Sequence, residues 1–352
     1  MTSTLNGFEI IDGDGHVLER DEELVEFLDE PYRGHSGIGY FPFFPTLDGL
    51  HRGAGGARRG KPDVDPDPMG WIDFMDRAGI TSTVLYPTAG LGAGMIQDPD
   101  WAVAVCRAYN DWLHELFVKT SDRFNGVALL PAQDPVEAAK ELRRSVTELG
   151  MVGGMLCANS ADMGVRKPLG DPDFWPIYAE AERLDRPIAV HGAPSIGLGA
   201  NMIGRQAPIV EHVLAQIVQM TNMLLSGLYD EYPKLRIGYL EADTGWVPYM
   251  MDRLTGRADP SLTDPAEVLA SGRVFFSCQS EEQSLRYAVE RLGDDVVLYA
   301  SDYWHEPAEE DIEDIQTLAG REDLSPQTKR KIFKDNTLRF YGMSAESAGF
   351  VS

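Results

Sequence analysis

The sequence predicts an α/β fold of the closed (β/α)8 kind, a TIM-type barrel with a long insertion after its first strand. Three observations carry that prediction. Eight short apolar stretches, each suited to a buried strand, alternate with helical stretches along the chain. Four of those stretches end in an imidazole or a carboxylate. No Gly-x-Gly-x-x-Gly comes after the first strand, which disfavours an open doubly wound sheet. A length of 352 residues suits one barrel domain over 1–342 with a short, polar, loose tail over 343–352.

The first strand is Ile10-Ile11-Asp12-Gly13-Asp14-Gly15-His16. Alternating strand geometry places Asp12, Asp14 and His16 on one face. A short helix over 21–29 comes next, then an insertion over 31–70. Such a long connection inside a domain is usually functional or disordered. Its aromatic part, Tyr40, Phe41, Phe43 and Phe44, reads as a lid or pocket wall, and its Gly- and Arg-rich part over 52–60 as mobile. Helix 71–78 and strand 81–86 continue the chain, the strand closed by Pro87. Asp98 caps a long amphipathic helix to 120, ahead of strand 126–130. Helix 136–149 ends at Gly150 and leads into strand 152–157. Asp171 opens helix 172–184 before the buried strand 187–191. Helix 210–228, strand 236–241, helix 246–254, strand 273–278, helix 281–292 and strand 295–302 continue the alternation. Helices near 309–318 and 325–340 complete the chain.

Composition narrows the partners. A net charge of −25 disfavours nucleic acid and anionic membrane, because phosphate binding needs clustered Lys and Arg. Cys106, Cys157 and Cys278 show no CxxC spacing, which fits a reducing compartment without disulfides. With no signal-peptide pattern at the N-terminus and no run of about 18 apolar residues, the expectation is a cytoplasmic protein acting on a small molecule.

In a (β/α)8 barrel the active site lies at the C-terminal ends of the strands. There the chain places Asp14 and His16 on strand one, His191 on strand five, Glu241 on strand six, and Asp302 and His305 after strand eight. Three imidazoles and three carboxylates converging on one mouth would repel or stay protonated without a cation. A single Zn²⁺ needs roughly three or four protein ligands. Six candidates suit two ions about 3.5–4 Å apart.

These residues resemble the amidohydrolase superfamily, in the branch that contains aminocarboxymuconate semialdehyde decarboxylase. The resemblance spans nearly the whole chain. It rests on Ile11-Asp12-Gly13-Asp14-Gly15-His16, Val84-Leu85-Tyr86-Pro87-Thr88, Leu129-Leu130-Pro131, Val190-His191-Gly192, the segment from Leu235 to Glu241, and Ser301-Asp302-Tyr303. It implies metal ligands at His16, His191 and Asp302, with Asp14 where the family usually has the first histidine of His-x-His. Two further positions depart from the pattern. Glu241-Ala242-Asp243 stands where the decarboxylases carry His-Gly-Gly, and His305 comes after the strand-eight aspartate.

Three functions suit this set. The first is hydrolysis or decarboxylation of a small apolar or aromatic carboxylate at one or two Zn or Mn ions, with Asp302 and Glu241 as the catalytic carboxylates. The second is a di-iron monooxygenase acting on a hydrophobic substrate such as a natural product, for which a carboxylate-rich shell is suited. The third is a catalytically inactive binding protein. Tyr86, Asn159, Phe43 and Trp304 are the candidate pocket residues, with Cys278, Ser280, Phe44 and Trp71 as further wall candidates. The family analogy and the prevalence of two-fold assemblies imply a homodimer.

Overall fold

The computed structural model describes residues 7–33, 42–45, 67–161, 164–193, 208–305, 307–346 and 348. Most of the insertion, including Tyr40, Phe41 and the Gly- and Arg-rich piece, lies outside the described residues, as do His35 and His51. Eight parallel strands pair in chain order: β1 (Ile10–Val17), β2 (Ile80–Pro87), β3 (Phe124–Leu129), β4 (Gly153–Cys157), β5 (Ile188–His191), β6 (Ile237–Leu240), β7 (Val274–Cys278) and β8 (Val297–Tyr299). Almost every strand residue is buried. A parallel sheet covered by helices on one face and filled by side chains on the other demands that, which is why the strands read as apolar runs.

The helices are α1 (Asp21–Leu24), α2 (Pro68–Ala78), α3 (Pro99–Leu113), α4 (Pro135–Thr147), α5 (Trp175–Leu184), α6 (Pro208–Leu225), α7 (Leu228–Glu231), α8 (Trp246–Leu254), α9 (Pro265–Ala270), α10 (Leu285–Leu292), α11 (Ala308–Gly320), α12 (Pro326–Arg330) and α13 (Asn336–Tyr341). An Asp-Pro pair opens α2, α3, α4 and α9, and a fifth opens the 3-10 turn that leads into α5. In each the carboxylate accepts free N–H groups of the first turn, and proline occupies a position whose own N–H is not needed. Two expected helices are interrupted instead of continuous. The one after Asp98 ends in a π-helical turn over His114–Val118, and the last one is broken by another over Lys331–Asp335.

The seam between β8 and β1 closes the barrel by unusual means. Two backbone bonds cross it at the mouth, His16 N–H to Tyr303 O (2.6 Å) and Asp302 N–H to Asp14 O (3.0 Å). Deeper, the buried Asp12 carboxylate accepts from Thr83 Oγ1 (2.7 Å), Ser301 N (2.9 Å), Ser301 Oγ (2.9 Å) and Asp14 N (3.2 Å). Asp12 therefore does not join Asp14 and His16 as the strict alternation predicts. The β1–β2 register slips between Asp12 and Gly15, three residues against two, so one extra residue re-aims the side chains beyond it. Gly15 is required there, because a Cβ would fall 2.4 Å from the Trp71 ring.

Where it is described, the tail touches the barrel at two points. Met343 N–H bonds Leu338 O, and Ala348 is fully buried beside Ile11. Trp71 and Phe44 belong to the core, with the Trp71 indole donating to His16 O at 3.1 Å. Among the described residues no helix is long and apolar enough to cross a membrane.

Candidate active site

The six ligand-type residues taken from four strand ends meet at one place. His191 Nε2 lies 3.2 Å from Asp14 Oδ1, and His16 Nε2 lies 3.7 Å from the same oxygen and 3.3 Å from Asp302 Oδ1. His305 Nδ1 sits 2.7 Å from Asp302 Oδ1 and 3.9 Å from Glu241 Oε1. Glu241 Oε2 lies 3.4 Å from His191 Nδ1. The ring of His16 stacks on that of His305 at 4.0 Å and stands edge-on to that of His191 at 5.1 Å. Two sets have ligand atoms close enough to share an ion: Asp14, His16 and His191, and His16, Glu241, Asp302 and His305.

Hydrogen bonds on the far side of each ring decide what faces the centre. His16 Nδ1 is 2.9 Å from Pro87 O, and His191 Nδ1 is 2.8 Å from Gly192 O. A carbonyl can only accept, so both Nδ1 atoms donate and both Nε2 atoms point inward as lone pairs when the rings are neutral. That is how proteins hold a histidine for a metal. His16 Nε2 is buried without a hydrogen-bond partner. Burial drives His16 well below its usual range, and His305 and His191 push it further, so it stays neutral. Burial would lower His191 too, but Asp14 and Glu241 override it and hold it at about 10. Asp14 is raised, chiefly by burial, and Glu241 is pushed up to about 8 by burial and then by Asp302. This is a set of donors in conflict, with buried carboxylates against a buried lone pair, and a divalent cation resolves it. The residues fit a metal.

The backbone shows the same purpose. Glu241, Asp243 and Asp302 all adopt left-handed conformations, with φ of 60°, 57° and 55°. Non-glycine residues tolerate this mainly where the surroundings compel it, and such positions cluster at functional sites. Gly192 serves Glu241 directly, since a Cβ there would come within 2.9 Å of Glu241 Oε2.

The pocket candidates divide. Tyr86 lies against the site, its ring 5.1 Å from that of His191. Its hydroxyl is 2.5 Å from that of Tyr341, which donates to Gly13 O, so it offers a wall and a buried network. Asn159 is buried at the end of β4, against Gly94 in the turn after β2. Phe43 is buried but packs edge-on to Trp101 of α3, 5.3 Å between ring centres. Trp304 is buried beside the strand-eight loop.

Three residues of the site are not among the candidates that the sequence offers. His212 on α6 brings Nδ1 to 3.3 Å from Glu241 Oε2. Thr88 Oγ1 is 3.1 Å from His305 Nε2. The buried Glu19 carboxylate accepts the backbone N–H groups of Thr88, Ala89 and Gly90 and so holds the Thr88 turn in place. A signal for His212 does exist. His212, Gln216 and Gln219 repeat at helical spacing along an otherwise apolar stretch.

Fold and site together define a barrel enzyme of the metal-dependent kind. The profile of the Amidohydrolase family matches residues 11–343, and the chain belongs to that family. The gamma-resorcylate decarboxylase of Rhodococcus jostii (strain RHA1) is 35% identical over 195 residues, covering 53% of this chain and 59% of that protein. The gamma-resorcylate decarboxylase of Polaromonas sp. (strain JS666 / ATCC BAA-500) is 30% identical over 247 residues, covering 66% of this chain and 75% of that one. Among solved structures, a dihydroxybenzoic acid decarboxylase from Polaromonas sp. JS666, with bound manganese and the inhibitor 2-nitroresorcinol, superposes with a TM-score of 0.73 at 22% identity, covering 97% of this chain and 100% of that one. At that identity the superposition speaks for the fold. The relatives named are decarboxylases, which favours the first of the three functional readings over di-iron oxygenation and over an inactive binding protein.

Proposed function

We propose that this chain removes CO2 from a small aromatic carboxylate at a divalent metal site, with Mn²⁺ the first ion to test. The observation that carries the reading is His16. Its Nε2 lone pair is buried, without a hydrogen bond, and directed between Asp14 and Asp302. Asp14, His16, His191 and Asp302 would hold the ion. Bound there, a divalent cation supplies a Lewis-acid anchor for the substrate's carboxylate or a neighbouring ring oxygen. The decarboxylases among its relatives support the choice of reaction, since gamma-resorcylate is an aromatic carboxylate.

Loss of CO2 from an aromatic ring requires a proton at the ring carbon. The electron pair of the broken C–C bond stays with the ring, and the carboxylate leaves as neutral CO2. Asp302 and Glu241 are the carboxyl groups that can move that proton. Asp302 is better placed, because His305 Nδ1 lies 2.7 Å from Oδ1 and a protonated His305 can resupply it. Thr88 Oγ1, on the other nitrogen of His305, orients the ring for this. Glu241 occupies the place where the decarboxylases of the superfamily carry a histidine, and its carboxyl lies between His191 and His305. Tyr86 supplies apolar wall and helps keep water out.

The test is CO2 release from 2,6-dihydroxybenzoate and related hydroxybenzoates by the Mn²⁺-loaded protein. Asp302→Asn should lower the rate about 10²–10⁴-fold, the range for removing a general acid. Oxygen uptake matched to substrate loss, without CO2, would overturn the proposal.

A further inference from the structure

We infer that a second pocket, outboard of the mouth, binds a phenol: one aromatic ring carrying one hydroxyl. The pocket has a volume of about 160 Å³ and lies among the loops that follow β2, β3 and β4 and the 3-10 turn before α5. None of the six ligand-type residues of the mouth lines it. Size sets the first limit on its occupant. An engineered cavity of about 150 Å³ with apolar walls takes benzene. The space here therefore suits one ring, and Phe174, Val165, Ala132, Pro99 and Pro135 give that ring apolar walls.

Gln133, on the same wall, sets the second limit. Its Nε2 donates to Ala93 O (2.7 Å) and Ile96 O (2.8 Å). Two carbonyl oxygens can only accept, so the amide cannot be turned over, and Oε1 is the atom left free. Oε1 is buried and has no hydrogen-bond partner. A bare buried acceptor is costly, and a hydroxyl on the occupant removes that cost. Charge sets the third limit. Among the described residues the one ammonium on the wall is Lys167, whose Nζ is engaged by Asp173 and stands 3.8 Å from Asp171 Oδ1. Two carboxylates against one ammonium leave no positive charge for an anion. The helix starts at Pro99 of α3 and Pro135 of α4 are spent as well, because Asp98 and Asp134 accept their first-turn N–H groups. A neutral ring fits where a carboxylate does not.

The walls are tightly built. Gly164, at φ 66°, lies so close to the loop after β2 that a Cβ would fall 2.4 Å from Ile96 O, one of the carbonyls that Gln133 holds. Removing CO2 from a hydroxybenzoate leaves a phenol, so in the proposed reaction this pocket would tell product from substrate. That link rests on the decarboxylase reading; the binding itself does not.

The experiment is calorimetric titration with phenol, anisole and benzoate, on the Mn²⁺-loaded whole chain and on His16→Ala, which disables the mouth. Phenol should bind saturably to both, and anisole, which lacks the donor, about 10-fold more weakly. Benzoate should show no saturable binding to His16→Ala. Val165→Trp, which fills the pocket from a partly buried wall position, should weaken phenol about 10-fold or more. Ala132→Met fills it from another wall and carries the same test should the tryptophan variant fail to fold. Equal affinity for phenol and anisole would overturn the assignment. So would phenol binding that is lost in His16→Ala but kept in Val165→Trp, or no saturable phenol binding at all. CO2 release is read separately, so these failures leave the decarboxylase reading standing, and its own failure would remove only the link to product.

Discussion

Asp12 and Asp14 sit two residues apart on one strand, both buried, and do opposite work. At the seam, Asp12 is satisfied by four hydrogen bonds from Thr83, Ser301 and the Asp14 backbone, and it joins β1 to β2 and β8. At the mouth, Asp14 meets imidazoles, with His191 Nε2 at 3.2 Å and His16 Nε2 at 3.7 Å. A buried carboxylate surrounded by donors is structural; one set among other ligand-type groups suits a cation. Burial alone does not separate the two, and partner chemistry does.

The comparison can be broken by substitution. The largest effect should come at the mouth, where His16→Ala or Asp14→Ala should weaken Mn²⁺ binding by about 10³-fold or more, equivalent to about 4 kcal/mol, as read by calorimetry. Asp12→Ala should leave metal stoichiometry intact in the folded protein but destabilise it by about 3 kcal/mol, since it strands several buried donors; urea unfolding measures this. If Asp12→Ala abolished metal binding in a protein of normal stability, the division of labour would be wrong. Metal removal sharpens the same contrast. Adding Mn²⁺ to about 100 times its Kd should stabilise wild type and Asp12→Asn alike by about 2.7 kcal/mol, and should not move the melting temperature of Asp14→Ala.

The smallest effect concerns a third kind of carboxylate. Glu180 on α5 is bound by Arg183 and Arg143 at the surface, and those hydrogen bonds hold it down at about 2, against an ordinary value of 4.5. Because the folded state lowers this value, its contribution is present above about pH 4.5 and is lost as pH falls towards 2. Glu180→Gln should therefore cost about 1 kcal/mol or less near neutrality and nothing below pH 2, as read from unfolding midpoints across that range.

Much of the site is legible in the sequence because it is written locally. Strand ends are marked by the sudden change from apolar residues to His191, Glu241 or Asp302, and the barrel rule says that those ends share one rim. Asp-Pro pairs mark helix starts for an equally local reason, since a cap needs only its own first turn. The features that the sequence hides depend on a partner from elsewhere. Alternation groups Asp12 with Asp14 and His16 because it is a property of one strand, whereas the slip that turns Asp12 away is a property of the pair β1–β2. Likewise the final helix reads as continuous, and the π-helical turn over Lys331–Asp335 that interrupts it has no breaker residue to announce it.

The sequence by itself determined the barrel, the rim and the ligand-type residues gathered there, because periodicity and the cost of burying charge act on each segment alone. The tertiary structure decided which carboxylate meets a lone pair and which meets a donor, and it brought His212 from a helix to Glu241. Those pairings arise only when α6 docks on β5 and β6 and when β8 closes against β1, since hydrogen bonds and ligation act over about 3 Å and are set by neighbours in space, not in the chain.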